Sequence, residues 1–550
     1  MSGRLKEYCA RFGLFGTVLA LAVVAAVAAF SGSAWAWALL ILGPLSVLGI
    51  WNLFQSKHTL MRNYPLLAHG RWISEELRPF LRQYIVEGNL TGRPFNRHQR
   101  SIVYERAKNT VDSQPFGSDL DFYGEEYEMT THSMAAKTLD GTQFRTKIGN
   151  SQCKRPYEAS LLNVSAMSFG SLSGKAIRAL NKGAEMGGFY HDTGEGGLSE
   201  HHRAYNGDLV WELGTGYFGC RDKEGRFDPG LFRETAQTDQ VKMIEIKLSQ
   251  GAKPGHGGVL PGAKVTSEIA KARQIEVGEE CVSPGAHPEF DTPVGLMQFI
   301  ARLRELSDGK PVGIKLCVGH PWELLAVCKA SLKTGIRPDF IVVDGAEGGT
   351  GAAPEEFSDH VGLPLRDGLI MVRNALVGSG LRDEIAIGAS GKVFSAFSMA
   401  NNLALGADWC NAARAFMFSL GCVMTKRCHT DTCPTGVATQ NPSRQRGLVI
   451  DDKAERVYHF QRNTLKRLGE LVGAAGLDHP NELRPHHLYH RRGPNAIQTM
   501  DFIHEFLEPN ALIDEPESTP YAEWWAAASP DTFKALRETG PSHHRVIARG

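Results

Sequence analysis

The chain has 550 residues, 42% of them hydrophobic and 22% charged, enough apolar material for one large core or two ordinary ones, which excludes a disordered chain. Lysine plus arginine and aspartate plus glutamate each total 60, so the charge balance points to no nucleic-acid partner. The 10 cysteines stand mostly alone, unlike the framework of a small secreted domain, and fit a reducing compartment.

In chain order, the first feature is a stretch without charge from Phe12 to Ser56. It is long enough for two helices that each cross a hydrocarbon core of roughly 30 Å. The expected spans are 12–30 and 34–54, with Ser31-Gly32-Ser33 as the turn. Arg4, Lys6 and Arg11 precede them and Lys57, His58 and Arg62 follow, which puts both ends of the hairpin in the cytoplasm. Trp35, Trp37 and Trp51 suit interfacial positions. A cleaved signal peptide is the alternative, because Ala34-Trp35-Ala36 imitates a cleavage site, but a second apolar span follows it directly. Residues 1–56 are therefore expected as a hairpin in the cell (inner) membrane, with the catalytic body cytoplasmic.

Residues 57–154 read as a polar, irregular linker. From 155 to 445, short apolar runs alternate with helical patterns. The runs are Asn163–Met167, Gly188–Asp192, Leu209–Leu213, Met243–Leu248, Val312–Val318, Asp339–Asp344, Ile385–Ala389 and Asp408–Ala412. With helices such as Ala176/Ile177/Leu180/Ala184 between them, they predict an α/β fold, a (β/α)8 TIM barrel. An open doubly wound sheet is the alternative, and either way sites lie at the strand C-terminal ends. The connection from Ser249 to Pro311 is far longer than a usual strand-to-helix loop and carries Gly251-Ala-Lys-Pro-Gly255, Gly257-Gly258 and Ser283-Pro284-Gly285. Residues 446–550 are expected as a helical extension, with Val457, Phe460, Thr464, Leu468 and Leu471 on one helix face and a His- and Arg-rich end as packing and tail.

Three constellations carry chemistry. Cys422, Cys428 and Cys433-Pro434 fall just past the last barrel run. Their gaps are too wide for the paired knuckles of a structural zinc site and fit an iron-sulfur cluster, three ligands suggesting three irons; a chance group of buried thiols is the alternative. Gly348-Gly349-Thr-Gly351, Ser390-Gly391-Lys392 and Ala412-Ala413-Arg414 end the sixth, seventh and eighth runs, where barrels hold phosphate through backbone N–H groups and a cation. Finally, Glu195, Lys247, Gln250 and Lys315 are polar groups in or at the ends of strands. A cation beside a flavin pyrimidine would stabilise the reduced ring, whereas any single lysine is otherwise a solvated or ion-paired barrel residue.

Together these residues resemble the FMN domain of glutamate synthases over about Val164 to Asn441. The resemblance is carried by Met167-Ser-Phe-Gly-Ser-Leu-Ser173, Thr193-Gly-Glu-Gly-Gly197, Ile246-Lys-Leu-Ser-Gln-Gly-Ala-Lys-Pro-Gly255, Gly348-Gly-Thr-Gly-Ala352 and Cys422 through Gln440. It implies FMN at the barrel mouth, among Met167, Ser168, Lys247, Gln250, Lys315, Gly349, Gly351, Gly391, Ala413 and Arg414. It also implies a three-iron four-sulfur ([3Fe-4S]) cluster on Cys422, Cys428 and Cys433, and reduction of 2-iminoglutarate, formed from 2-oxoglutarate and ammonia, to glutamate. Glu195, Lys253, Arg273 and Ser283 match the 2-oxo acid site. An electron donor protein, a ferredoxin or a reductase subunit, is implied as partner. The chain departs from the family at His256, at Val259 where glutamine is typical, and at Gly285-Ala-His-Pro288. It has room for neither the family's amidotransferase domain nor its glycine-repeat β-helix, so ammonia is expected free or from a separate amidotransferase subunit. The rival reading is an electron-transfer subunit of a membrane complex.

Overall fold

The computed structural model describes residues 3–537 and divides into two compact units, residues 1–97 and 98–550. The division falls inside the stretch that the sequence reads as linker.

In the first unit, α1 (Gly3–Phe30) and α2 (Leu39–Phe54) pack as a hairpin. Gly49 lies against the Phe15 ring, where a larger residue would collide. Lys6–Phe30 and Ala34–Phe54 are long and apolar enough to cross a membrane. Between the two helices the chain makes a 3-10 turn, Ala34–Ala38, opened by the Ser33 side chain accepting from the Trp35 N–H. Beyond α2 comes a further helix, α3 (His69–Leu81).

The second unit is a closed barrel of eight parallel strands: β1 (Leu162–Val164), β2 (His191–Asp192), β3 (Leu209–Leu213), β4 (Val241–Lys247), β5 (Val312–Leu316), β6 (Phe340–Asp344), β7 (Ala386–Ser390) and β8 (Trp409–Ala412). All eight expected runs contribute one strand each. Strands covered on both faces read as continuous apolar stretches, which is why they stood out. The run expected from Gly188 starts as strand only at His191, because Gly188 adopts a left-handed conformation (φ 60°) to end α4 (Gly174–Gly187). Ser173 caps the other end of α4, accepting from the Ala176 N–H.

One end of the barrel is plugged by apolar side chains. Ile148, Tyr190, Val210, Met243, Phe340, Val342 and Trp409 are all buried there. The Trp409 indole N–H donates to the Tyr190 hydroxyl (2.8 Å), which donates to Asn411 Oδ1 (2.6 Å). A hairpin of Arg145–Ile148 and Tyr157–Ser160 supplies Ile148 and Ala159 to this plug. The first of those strands lies in the region expected to be irregular: in Arg145-Thr-Lys-Ile148 only the last side chain is apolar, so its period is invisible locally.

Toward the other end the interior turns polar. The register aligns Glu212 with Glu245 on neighbouring strands, and Lys315 enters between them, ion-paired to Glu212 and 3.3 Å from Glu245. Burial, and Asp192 next to it, push the Glu245 carboxyl well above its ordinary range.

α5 (Ile450–Ala474) packs on α4, burying Val457, Phe460, Thr464 and Leu468, with Val457 against Gly183. The C-terminal region is not helical throughout. Leu488–Gly493 and Ala496–Thr499 form a hairpin that pairs with Glu128–Thr130. The first strand carries His490, Arg491 and Arg492, and both are only partly buried, so they lack the apolar alternation that would have marked them. The tail beyond residue 537 lies outside the described residues.

Candidate functional site

The C-terminal ends of the strands carry the convergent polar groups. The loops after β1 and β2 interleave so closely that a side chain at Gly194 (φ 65°) would meet the Ser168 N–H nitrogen at 2.6 Å. This contact brings Met167 and Ser168 against the Thr193–Gly197 loop and sends Glu195 across the mouth. The Glu195 carboxylate reaches Lys247 at the end of β4 (3.0 Å), whose ammonium also donates to Gln250 Oε1 (2.6 Å). Gly214 and Gly258 flank the carboxylate, and a Cβ at either would meet it within 3 Å. Although burial opposes charge, Lys247, Arg273 and Lys253 together hold the Glu195 carboxyl below its ordinary range, so it is ionised. Gly258→Ala should push Glu195 aside and separate it from Lys247. Reduced activity with the fold intact by circular dichroism is the expected outcome, and full activity would show that the packing is slack.

The long connection after β4 supplies most of the remaining groups. Val259–Leu260 and Cys281–Val282 pair as a short antiparallel hairpin, with a helix, Ser267–Arg273, between them. Lys253, Arg273 and Ser283 are all buried. The Arg273 guanidinium lies over the Phe218 ring (5.0 Å) and donates to the Phe169 carbonyl (3.4 Å). Burial depresses the Lys253 ammonium pKa, and its Nζ donates to the Gly257 carbonyl (3.2 Å). Ser283 donates its backbone N–H to Gly258 (2.9 Å). Gln250 Nε2 and Arg273 Nε have no hydrogen-bond partner among the described residues, although both atoms are buried. Such groups mark where a polar ligand would complete the bonding.

The expected phosphate loops also converge. Gly349 packs on the Arg414 side chain, which a Cβ would meet at 2.9 Å, and Arg414 donates to the Glu347 carbonyl (2.6 Å). Gly391 holds a φ of 146°, open only to glycine, and follows Ser390, whose hydroxyl is 3.2 Å from that of Ser165 on the β1 end. Ala413 begins the turn into Arg414, while Gly351 faces open space.

The cysteine loop docks beside these. Gln440 donates to the carbonyls of Gly170 and Leu172 (3.1 and 3.0 Å), tying the loop to the one after β1. Lys264, from the long connection, donates to the Cys428 carbonyl (2.9 Å), and Tyr104 donates to that of Cys422 (2.7 Å). Burial pushes the Cys422 thiol up to about 12, with Cys428 and Cys433 close enough to add to the shift. Cys433 goes the other way: against burial, the Thr435 hydroxyl and the backbone N–H groups of Ala438, Thr435 and Val437 favour its thiolate. No disulfide joins the three.

A family model described as a conserved region in glutamate synthase matches residues 101–478. The chain belongs to the glutamate synthase family. Its members named glutamate synthase are oxidoreductases, and the chain is an enzyme of that class. It is 37% identical over 496 residues to the glutamate synthase large subunit-like protein YerD of Bacillus subtilis, a match spanning 82% of this chain and 94% of that protein. With the archaeal glutamate synthase (NADPH) of Methanocaldococcus jannaschii it shares 35% identity over 65% of this chain and 66% of that one. With the glutamate synthase (NADPH) large chain of Bacillus subtilis the identity is 32%, but the match spans only 21% of that longer protein.

Among the residues expected from the glutamate synthase resemblance, Lys315 stands apart. Its charge is answered by Glu212 in the barrel interior, with Glu245 beside it, the ion-paired alternative left open by the sequence, so it is not a free cation for a ring. His287, in contrast, went unassigned. It is buried, and its Nδ1 bonds the Tyr217 hydroxyl and its Nε2 the Lys247 carbonyl, both at 2.9 Å. Since only a ring N–H can satisfy that carbonyl, Nε2 carries the proton and Nδ1 accepts from Tyr217. Burial, which pulls His287 down to about 4, keeps the ring neutral. The pair thus fixes the backbone of Lys247. Lys264 went unassigned too, because nothing in the sequence links it to a cysteine far downstream.

Proposed function

We propose that the chain binds FMN at the barrel mouth and a three-iron four-sulfur cluster on Cys422, Cys428 and Cys433, and reduces an imine formed from a 2-oxo acid. The leading case is 2-oxoglutarate plus ammonia to glutamate. The observation that carries this reading is the charge pattern around Glu195: one ionised carboxylate against Lys247, Lys253 and Arg273. An excess of cations suits a substrate with two carboxylates, and the single anion suits the iminium nitrogen that must be held beside them.

The donor sets fit both groups. Gly349, Gly391, Ala413 and Arg414 offer a phosphate cradle, and Gln250, which accepts from Lys247, has its Nε2 unpartnered among the described residues. Three thiols on one loop, with N–H donors on Cys433 and the Lys264 cation nearby, are what a cluster needs to balance its negative charge. When bound, FMN supplies the hydride. Arg273 would then grip a substrate carboxylate through its fork, stacked on Phe218, and Ser283 and Lys253 would complete the anion site. Glu195 would accept the iminium N–H and favour the protonated, more electrophilic imine. Electrons would enter from a ferredoxin or reductase subunit. Val259, apolar where glutamine is typical of the family, makes the identity of the acid the part most in need of a direct assay.

Arg273→Lys keeps the charge but loses the bidentate fork. The KM for the 2-oxo acid is expected to rise at least about tenfold, with FMN content unchanged. An unaltered KM for every acid tested would remove Arg273 from the site.

We also propose that α1 and α2 anchor the protein in the cell membrane as a hairpin, with both termini and the barrel cytoplasmic. A reporter that works only in the cytoplasm should be active when fused after Gly550. Activity confined to a reporter that works only after export would reverse the topology.

A further inference from the structure

The helix that follows the hairpin has an apolar face that is largely exposed among the described residues, with only Phe80 partly covered. On α3 and the wider π-type turn that continues it (Arg82–Val86), Ile73, Leu77, Phe80, Leu81 and Tyr84 fall within a single sector of roughly 100°. Ile73 is 58% exposed, Leu77 50%, Leu81 49% and Tyr84 61%. Arg71, Arg78 and Arg82 lie outside that sector, as do Glu75 and Glu76. Such a division is characteristic of helices that lie in the plane of a membrane surface.

Four contacts fix the level at which this helix begins. Asn52, in the last turn of α2, is buried and donates to the Pro65 carbonyl (2.6 Å) and to His69 Nε2 (2.7 Å), the first residue of α3. His58 meets the Trp72 ring edge-on at 5.7 Å. Arg11, ahead of the apolar part of α1, donates to Asn63 Oδ1 (2.5 Å). Asn52 and Arg11 therefore clamp the connecting segment to the end of the hairpin where both spans emerge. A helix starting there, with its amide and imidazole partners already satisfied, starts at the headgroup level.

We propose that α3 is an interfacial helix that lies on the cytoplasmic face of the bilayer, with Ile73, Leu77, Phe80, Leu81 and Tyr84 buried at the boundary of headgroups and acyl chains. The occupant of the exposed face is lipid, argued from its continuity with the two spans and from the Asn52 clamp. This inference rests on the hairpin reading given above.

The full-length protein, reconstituted into phosphatidylcholine and phosphatidylglycerol vesicles whose acyl chains carry a diazirine, is photolysed and its lipid adducts are mapped by mass spectrometry. Adducts are expected on residues 69–86 as well as in both spans. In the double variant Leu77→Glu/Leu81→Glu, those on 69–86 should fall at least about tenfold while those in the spans stay. Adducts confined to 12–54 would overturn the interfacial helix and leave the hairpin standing. Crosslinks from 69–86 to a second copy of the chain, without lipid adducts there, would overturn it in favour of a protein interface. A chain without adducts in either segment would refute the hairpin itself and this inference with it.

Discussion

Cys428→Ser is expected to empty the protein of iron and acid-labile sulfide while FMN stays bound at one per chain. A hydroxyl is a harder and less acidic ligand than a thiol, and three protein ligands leave no redundancy. The change is nearly isosteric, and the Lys264 contact goes to the Cys428 backbone carbonyl, so the loop should keep its path. With the cluster gone, reduction by a one-electron donor protein should slow by about 100-fold or more, whereas chemical reduction of the flavin should be unaffected. Cys317→Ser is the control: that thiol is buried elsewhere, pushed up to about 12 by desolvation, and its loss should leave iron in place. Iron retained in Cys428→Ser at the wild-type level would disprove the cluster assignment.

Glu195→Gln is expected to have an effect of similar size on the chemistry itself. The carboxylate lies among three cations, Lys247, Lys253 and Arg273, and its amide replacement can neither answer the Lys247 charge nor favour an iminium nitrogen. Turnover should fall by about 10²–10³-fold, the range for losing one preorganised electrostatic group at a reacting centre. Leaving Lys247 buried without its partner should also cost on the order of 3 kcal/mol of stability, so the variant is best assayed well below its melting temperature. With FMN held at the barrel mouth, as proposed, its potential should rise, because a negative charge has been removed from the mouth. Glu195→Asp, which keeps the anion at shorter reach, should recover part of the rate. Turnover of Glu195→Gln within about threefold of wild type would mean that the carboxylate only braces the mouth.

The sequence revealed the barrel more fully than the site. Parallel strands covered on both sides leave unbroken apolar runs such as Phe340–Asp344, and all eight were legible. The antiparallel pieces were not. Arg145–Ile148 buries only one residue of four, and Leu488–Gly493 buries only its first. Glycine clusters and charged strand ends marked loops that the fold brings together at the strand ends, because close approach demands glycine wherever a neighbour's atoms lie within 3 Å, as at Gly194 and Gly258. What stayed hidden were partnerships across long sequence separations. No local pattern says that Lys264 will meet the Cys428 carbonyl, that His287 will hold the backbone of Lys247, or that Lys315 will be paired with Glu212. Those depend on register and on how a long loop folds back, which only the assembled barrel fixes.

The central claim is that this site turns a 2-oxo acid and ammonia into an amino acid at the expense of reduced flavin. Its most direct test is anaerobic. The purified full-length protein is reduced, mixed with 2-oxoglutarate plus ammonium, and followed by flavin absorbance, with glutamate measured at the end. Reoxidation that needs both reagents, with one glutamate formed per flavin reoxidised, is the predicted result. A flavin that stays reduced with 2-oxoglutarate and every other 2-oxo acid tried in the presence of ammonium, yet passes electrons readily to an acceptor protein, would contradict the claim and leave electron transfer as the function.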